Sequence, residues 1–145
     1  MIWAGDFNRH HPLWDRDEDT HLFSRPALRA AENLIGLLAE HNMEMALPKG
    51  IPTLEHMCSK RYSRPDNFFC TASFREHVVS CDIDPAHRPA CTDHLPIATH
   101  ISLPQSRCRR ENVFSWVSPD VTLVGLFQLF VGRYTITVCF TKSPR

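Results

Sequence analysis

The chain opens with Met1-Ile-Trp-Ala-Gly-Asp-Phe-Asn-Arg-His-His-Pro-Leu-Trp14, and this segment decides the fold. A short apolar run, Ile2 to Ala4, precedes Asp6 and Asn8. Because side chains alternate across a strand, Asp6 and Asn8 are predicted to share one face at a strand end. A carboxylate there can position or deprotonate water, and a carboxamide can hydrogen-bond a phosphate oxygen. The alternative is a strand that runs into an Asx turn, with Gly5, Asp6 and Asn8 required by the backbone.

Two later segments carry further acidic residues. Asp66 lies in Arg64-Pro-Asp-Asn-Phe-Phe69, and Asp93 and His94 lie in Thr92-Asp-His-Leu-Pro-Ile97. In that order, Gly-Asp-Phe-Asn, an Asp that opens a strand, and Asp-His before Leu-Pro-Ile resemble the last three motifs of the endonuclease/exonuclease/phosphatase superfamily. Within it, His10-His-Pro-Leu-Trp14 and Pro48-Lys-Gly-Ile-Pro-Thr53 resemble the endonuclease domains of non-LTR retrotransposons. The resemblance covers roughly Ile2 to Leu103.

The resemblance implies an α/β fold that is about half of the family's two-sheet sandwich, with a mixed β-sheet and one main amphipathic helix. In the family, a long N-terminal half precedes the first of these motifs and supplies the principal metal-binding Glu. We therefore expect a truncated domain over residues 1–104 with an exposed sheet face or edge. Residues 105–145 are expected to be a non-matching apolar tail, either a hairpin or poorly ordered.

The resemblance also implies metal-dependent phosphodiester hydrolysis. It assigns Asp6 to the attacking water, Asn8 to the scissile phosphate, and Asp93 together with Asp6 to the metal. His94 would donate to a phosphate oxygen, and Asp66 would orient its imidazole. In the alternative interpretation without a site, His94 is a surface residue of a strand, Asp66 pairs with Arg64, and Asp93 is a cap. Mg²⁺ is the expected ion, with Mn²⁺ as an alternative, because hard oxygen ligands and phosphate suit such cations.

The loop after the first motif offers candidate substrate contacts. His10 or His11 could face the substrate. Trp14 could stack on a base, because a tryptophan in a polar loop needs a partner for its large apolar area. Packing of Trp14 under its own loop is an open alternative.

The charge balance excludes a global electrostatic attraction to nucleic acid, because sixteen basic and sixteen acidic residues give a formal net charge of zero. DNA binding would therefore rely on local basic patches. Lys60-Arg61 with Arg64 is the candidate closest to Asp66, and Arg64 is a predicted substrate contact. A solvated surface cluster is the alternative interpretation.

Composition predicts a globular intracellular protein, since 43% of 145 residues are hydrophobic and no export signal opens the chain. A working nuclease of this type would act in the nucleus. Six cysteines are then expected as reduced, inert thiols. The alternative is zinc held by His77, Cys81, His87 and Cys91, although their intervals match no common structural site.

The clearest predicted element is a helix over Ala27–His41, capped by Ser24, with Pro26 in its first turn. Strands are predicted over Met43–Leu47, Ser63–Cys70, Val78–Ile83 and Leu95–Leu103. Val121–Phe140 contains a single charge, Arg133, and is nearly long enough to span a bilayer. Its β-branched and aromatic content favours strands, so a membrane span is not expected.

Three functions remain open. The first is a DNA-nicking endonuclease of retrotransposon type, truncated and weak or inactive alone, with DNA as partner and no small-molecule cofactor. A separate N-terminal half, or a reverse transcriptase domain of a longer polyprotein, would be a further partner. The second is a non-catalytic remnant or a nucleic-acid-binding fragment. The third is a phosphatase-like member of the superfamily, against which the segment His10–Trp14 argues by resemblance.

Overall fold

A computed structural model describes residues 1–90, 92–103, 122–130 and 133–141, the last two ranges by their backbone only. The described chain is mixed α/β with three antiparallel sheets. Its strands and helices are β1 (Ile2–Asp6), α1 (Arg25–Glu40), β2 (Met43–Met45), β3 (Leu54–Glu55), β4 (Tyr62–Ser63), β5 (Asp66–Thr71), α2 (Ala72–Arg75), β6 (Val78–Ile83), β7 (Ile97–Ile101), β8 (Thr122–Phe130) and β9 (Arg133–Thr141).

The first sheet has the strand order β1-β5-β2. β5 is buried along almost its whole length because both of its faces are covered. Phe68 and Cys70 point to one side of the sheet and Phe69 to the other, as strand alternation requires. The predicted strand over Ser63–Cys70 is interrupted before Asp66, and Pro65, which cannot donate a ladder hydrogen bond, lies in the gap.

Helix α1 covers one face of this sheet. Ser24 caps it by accepting a hydrogen bond from the Ala27 N–H at 3.4 Å, and the helix ends one residue before the predicted end. The predicted apolar stripe is confirmed, since the buried helix residues pack with Phe69 of β5. That cluster contains Trp14, Ala31, Leu34, Leu38, Met43 and Phe69.

The third sheet has the order β6-β7-β9-β8. Its described side chains share one hydrophobic cluster with the first sheet, on the face away from α1. The buried members are Ala46, Leu47, Phe68, Cys70, Val78, Cys81 and Ile97. The predicted strands over Val78–Ile83 and Leu95–Leu103 are therefore present, the second shortened to Ile97–Ile101.

The apolar tail contributes strands to the same sheet. β8 and β9 pair as an antiparallel hairpin, and β9 also pairs with β7 from Ile97↔Val138 to Ile101↔Tyr134. Of the two expectations for the tail, the described residues show the hairpin. The predicted boundary between residues 104 and 105 lies outside the described residues. None of the described helices has the length and apolar character needed to cross a membrane.

The three cysteines whose side chains are described, Cys58, Cys70 and Cys81, are free thiols. Cys70 and Cys81 are buried in the core, and Cys58 is exposed. Burial raises the pKa of Cys81 to about 11, so its thiol is inert at neutral pH. Cys81 accepts a hydrogen bond from the Thr99 hydroxyl within this core, and the alternative zinc set does not form a cluster among the described residues. Cys91 lies outside them.

Candidate active site

The register of the first sheet brings two acidic residues together. β1 and β5 are antiparallel, and Asp6 at the end of one strand lies opposite Asp66 at the start of the other. Asp66 is completely buried, whereas Asp6 is partly exposed. Asp66 also donates its backbone N–H to the Thr53 hydroxyl at 3.1 Å. One acid is thus fixed inside the protein, and the other is open to solvent.

A short stretch around β3 holds His94 beside this pair. Leu54 forms a β-bridge with His94. On either side of the bridge, the Leu95 N–H donates to the Thr53 carbonyl at 2.7 Å and the Glu55 N–H donates to the Asp93 carbonyl at 2.8 Å. His94 therefore takes its position from backbone pairing to β3 rather than from a strand of its own.

Asp66 and His94 form a buried pair. His94 Nδ1 lies 2.9 Å from Asp66 Oδ2 and 3.1 Å from Oδ1, and His94 is 3% exposed. This contact is the one predicted for an orienting carboxylate. The side-chain partner of Asp66 is thus His94, and Arg64 donates to other acceptors.

The surroundings shift the pKa of both groups upward. Burial lowers the pKa of His94, but the hydrogen bond and negative charge of Asp66, with the charges of Asp6 and Asp93, outweigh it and raise the pKa overall. Burial raises the pKa of Asp66, against the hydrogen bond from His94. The imidazole of His94 therefore stays protonated to a higher pH than a free histidine would.

Potential ligand atoms of three residues lie within 4.8 Å of one another, those of Asp6, Asp66 and His94. Asp93, which was predicted as a metal ligand together with Asp6, is not a member of this cluster. Its Oδ1 lies 3.8 Å from His94 Nε2, so it borders the imidazole instead. We call Asp6, Asp66 and His94 the acidic cluster; within the described residues it is the grouping that could hold a cation.

Asn8 does not share a strand face with Asp6, because β1 ends at Asp6. The chain leaves the strand through a turn in which Asn8 has φ 49° and donates its backbone N–H to Asp6 Oδ1 at 2.9 Å. The prediction of a common strand face is wrong, and the Asx-turn interpretation is confirmed. The turn leaves the Asn8 side chain exposed beside Asp6.

A buried aspartate organises the loop after this turn. Asp15 accepts the His11 N–H at 2.8 Å and lies 3.4 Å from His10 Nδ1. Asp15 is completely buried, while His10 and His11 are half-buried. The two predicted substrate contacts thus keep access to solvent.

Trp14 and Arg64 need correction as predicted substrate contacts. Trp14 is only 2% exposed; it packs against Phe69 and donates its indole N–H to the Arg9 carbonyl at 2.9 Å. It packs under its own loop, as the alternative interpretation held, so its ring cannot stack on a base in this conformation.

Arg64 is 1% exposed, and its guanidinium donates hydrogen bonds to acceptors inside the protein. It donates to Asn67 Oδ1 at 2.7 and 3.1 Å, to the Leu47 and Trp14 carbonyls at 2.9 and 3.1 Å, and to the Pro48 carbonyl. Burial lowers its pKa to about 10, so it stays charged at neutral pH. Arg64 joins three loops, and it is not a surface contact for substrate.

Sequence reasoning missed the part that Thr53 plays. It ends the quoted segment Pro48–Thr53 but was given no role there. Thr53 is completely buried and bonds both site-bearing segments, through its hydroxyl to Asp66 and through its carbonyl to Leu95. No local sequence pattern indicates this role, because the burial of Thr53 follows from tertiary packing.

The site combines a buried carboxylate–imidazole pair, Asp66 and His94, with a second, accessible carboxylate, that of Asp6. The profile of a protein family described as endonuclease-reverse transcriptase matches residues 1–98, so the chain belongs to that family. This match confirms the resemblance to retrotransposon-type endonucleases of the endonuclease/exonuclease/phosphatase superfamily. None of the curated proteins and none of the solved structures matches the chain.

Proposed function

We propose that the chain hydrolyses phosphodiester bonds in DNA in a metal-dependent reaction, as a nicking endonuclease of retrotransposon type. One observation carries the proposal: the acidic cluster is assembled from the same three motifs that show the family. A phosphodiester is an anion, so its hydrolysis needs an oriented water, a proton donor and compensation of negative charge.

Each residue of the cluster suits one of these needs. Asp6 is the accessible carboxylate and would orient or deprotonate the attacking water. His94, held by Asp66 through Nδ1, would donate to a phosphate oxygen, and the raised pKa of His94 favours the protonated form that this role requires. Asn8, exposed in the adjoining turn, would hydrogen-bond the phosphate.

The donor set fits a divalent cation held by few protein ligands. Asp6 would hold it, together with Asp93, whose Oδ1 lies 3.8 Å from His94 Nε2, because Asp66 already accepts from His94. Mg²⁺ suits such a site, since it commonly takes one or two carboxylates and keeps several waters, and Mn²⁺ is the alternative. When bound, the cation would neutralise charge on the phosphate.

A basic surface next to the cluster supports DNA as the substrate. The β3–β4 hairpin starts at the residue that bridges His94, and its exposed residues include Lys60, which also pairs with Glu55 at 3.4 Å, Arg61, and Tyr62 of β4. Two cations and an aromatic ring are suited to phosphates and bases of a nucleic acid. The half-buried His10 and His11 would add contacts on the Asp6 side.

We further propose that activity of this chain alone is weak. Two carboxylates, those of Asp6 and Asp93, are a sparse set for a cation, and the third nearby carboxylate, that of Asp66, is committed to His94. Another domain or chain would supply further ligands. The hydrophobic cluster shared by the first and third sheets supports the packing of two sheets in the part of the sandwich that we propose for this chain. Acting on DNA, the protein would work in the nucleus.

Nicking of supercoiled plasmid tests the proposal. The purified chain should relax plasmid slowly, only when Mg²⁺ or Mn²⁺ is added. His94→Ala and Asp6→Asn should lower the rate by about a hundredfold or more, because each removes a group that acts on the reacting phosphate or water. His21→Ala, at an exposed histidine of the Asp17–Leu22 turn, is the matched control and should keep the wild-type rate.

Equal nicking by all four proteins would contradict the proposal. Binding of plasmid without any metal-dependent cleavage would favour the nucleic-acid-binding fragment. Hydrolysis of a small phosphomonoester in preference to DNA would favour the phosphatase-like member.

A further inference from the structure

The loop that delivers Asp93 and His94 is tied to the β3–β4 hairpin by one arginine. Arg88 follows the short turn Pro85–His87, and its Nε donates to the Thr92 carbonyl at 3.0 Å. Its Nη1 donates to Glu55 Oε2 of β3 at 2.6 Å. The Arg88 and Glu55 side chains are only 21% and 20% exposed, so this pair is shielded from solvent better than a surface salt bridge.

The two anchor points of Arg88 lie next to the catalytic segment. The Thr92 hydroxyl accepts the His94 N–H at 3.1 Å, so a bond to the Thr92 carbonyl acts on the residue that steers His94. Glu55 contacts the same loop a second time, through the backbone bond to the Asp93 carbonyl. The side-chain bonds of Arg88 and the backbone bond of Glu55 therefore both hold the backbone of residues 92–94 in place.

We infer that Arg88 is a positioning residue, which holds the Asp93–His94 segment against β3 so that the imidazole reaches Asp66 and the substrate. The effect of Arg88 on catalysis rests on the proposed nuclease function. A guanidinium suits this task because its donors diverge in a rigid plane and can bind a carboxylate and a carbonyl at once. A lysine at this position could serve one acceptor well and the other poorly.

Residue-resolved amide hydrogen exchange tests the inference without any turnover. In Arg88→Gln, the amides of Glu55 and Leu95 should exchange about tenfold faster than in wild type, because both of their hydrogen bonds join the loop to the Thr53–Glu55 segment. Amides of β5 should keep their wild-type rates. Arg75→Gln is the matched control, since Arg75 also donates to a backbone carbonyl, that of Val78 at 3.3 Å, but lies on α2 away from the cluster.

Nicking kinetics supply the second readout. Arg88→Gln should lower kcat while KM changes little, and Arg88→Lys should restore part of kcat, because positioning affects the reacting groups more than DNA binding. If Arg88→Gln fails to fold, Glu55→Ala decides, since it removes the other end of the same bond and should speed the same two amides.

Exchange rates in Arg88→Gln equal to those in Arg75→Gln would overturn the inference, as would a uniform acceleration of all amides, including β5. A chain that shows the local exchange effect but never nicks DNA would refute the nuclease function and leave the structural role of Arg88 standing. Nicking by Arg88→Gln at the wild-type rate would refute the positioning role of Arg88 and leave the nuclease function standing.

Discussion

Asp66 and His94 show how single residues acquire site chemistry from their surroundings. The sequence predicts their pairing only through the family resemblance, because 27 intervening residues separate them and no local pattern links the two. Arg64 shows the opposite case. A basic residue beside other basic residues suggested a surface patch, but the short loops around it leave their carbonyls pointing inward, and a buried guanidinium satisfies them.

The raised pKa of His94 predicts a pH-dependent stability. A base whose pKa rises on folding contributes stability below its unfolded value, here 6.5, and the contribution is lost as the pH rises through the folded value. The free energy of unfolding of the wild type should therefore fall more than that of His94→Gln as the pH rises above about 6.5. Urea unfolding of both proteins across this range measures it. Parallel pH profiles would contradict the assignment.

Arg64 should be a major contributor to stability. Arg64→Ala should lower the free energy of unfolding by about 3 kcal/mol or more, because the carbonyls of Leu47 and Trp14 and the Asn67 side chain lose a charged donor inside the protein. Arg61→Ala, three residues earlier and exposed, should change it by less than about 0.5 kcal/mol. Equal effects in denaturant unfolding would show that Arg64 is not buried as described.

Among the secondary-structure elements, periodicity predicts the helix and the longer strands, whereas the shortest strands depend on tertiary pairing. Helix α1, its Ser24 cap and the strands β2, β6 and β7 follow local patterns, so the sequence places them within a few residues. The two-residue strands β3 and β4 are too short to leave a pattern. They exist because the Thr53–Glu55 segment pairs on one side with β4 and on the other with the backbone around His94. Periodicity therefore does not predict the backbone pairing that positions His94.

Helix α1 offers a test of its own orientation. Leu34→Ala should destabilise the protein by about 3 kcal/mol, because Leu34 is 9% exposed in the cluster around Phe69 and its loss leaves a cavity. Leu37→Ala, one helical turn along and 47% exposed, should cost less than about 1 kcal/mol. Thermal and denaturant unfolding of the two variants measure the difference, and a larger effect at Leu37 would reverse the assigned faces of the helix.

At the scale of the molecule, the site lies where separate elements meet. Asp6 comes from the end of β1, Asp66 from the start of β5, and His94 from the segment before β7. The order of the three motifs in the sequence predicted this convergence by resemblance, whereas the antiparallel register of β1 with β5 and the bridge from Leu54 to His94 produce it physically. The clusters on the two faces of the first sheet then fix these strands, with α1 on one side and the third sheet on the other.

Calorimetric titration of Mg²⁺ into the folded chain tests the central claim most directly, because cation binding by Asp6 and Asp93 would precede any cleavage. The wild type should show saturable binding that Asp6→Asn and Asp93→Asn weaken by at least about tenfold. Asp17→Asn, at an exposed carboxylate paired with Lys49, should bind like the wild type. Absence of binding by folded wild type, or equal binding by Asp6→Asn, would contradict the claim that these residues form a metal-dependent nuclease site.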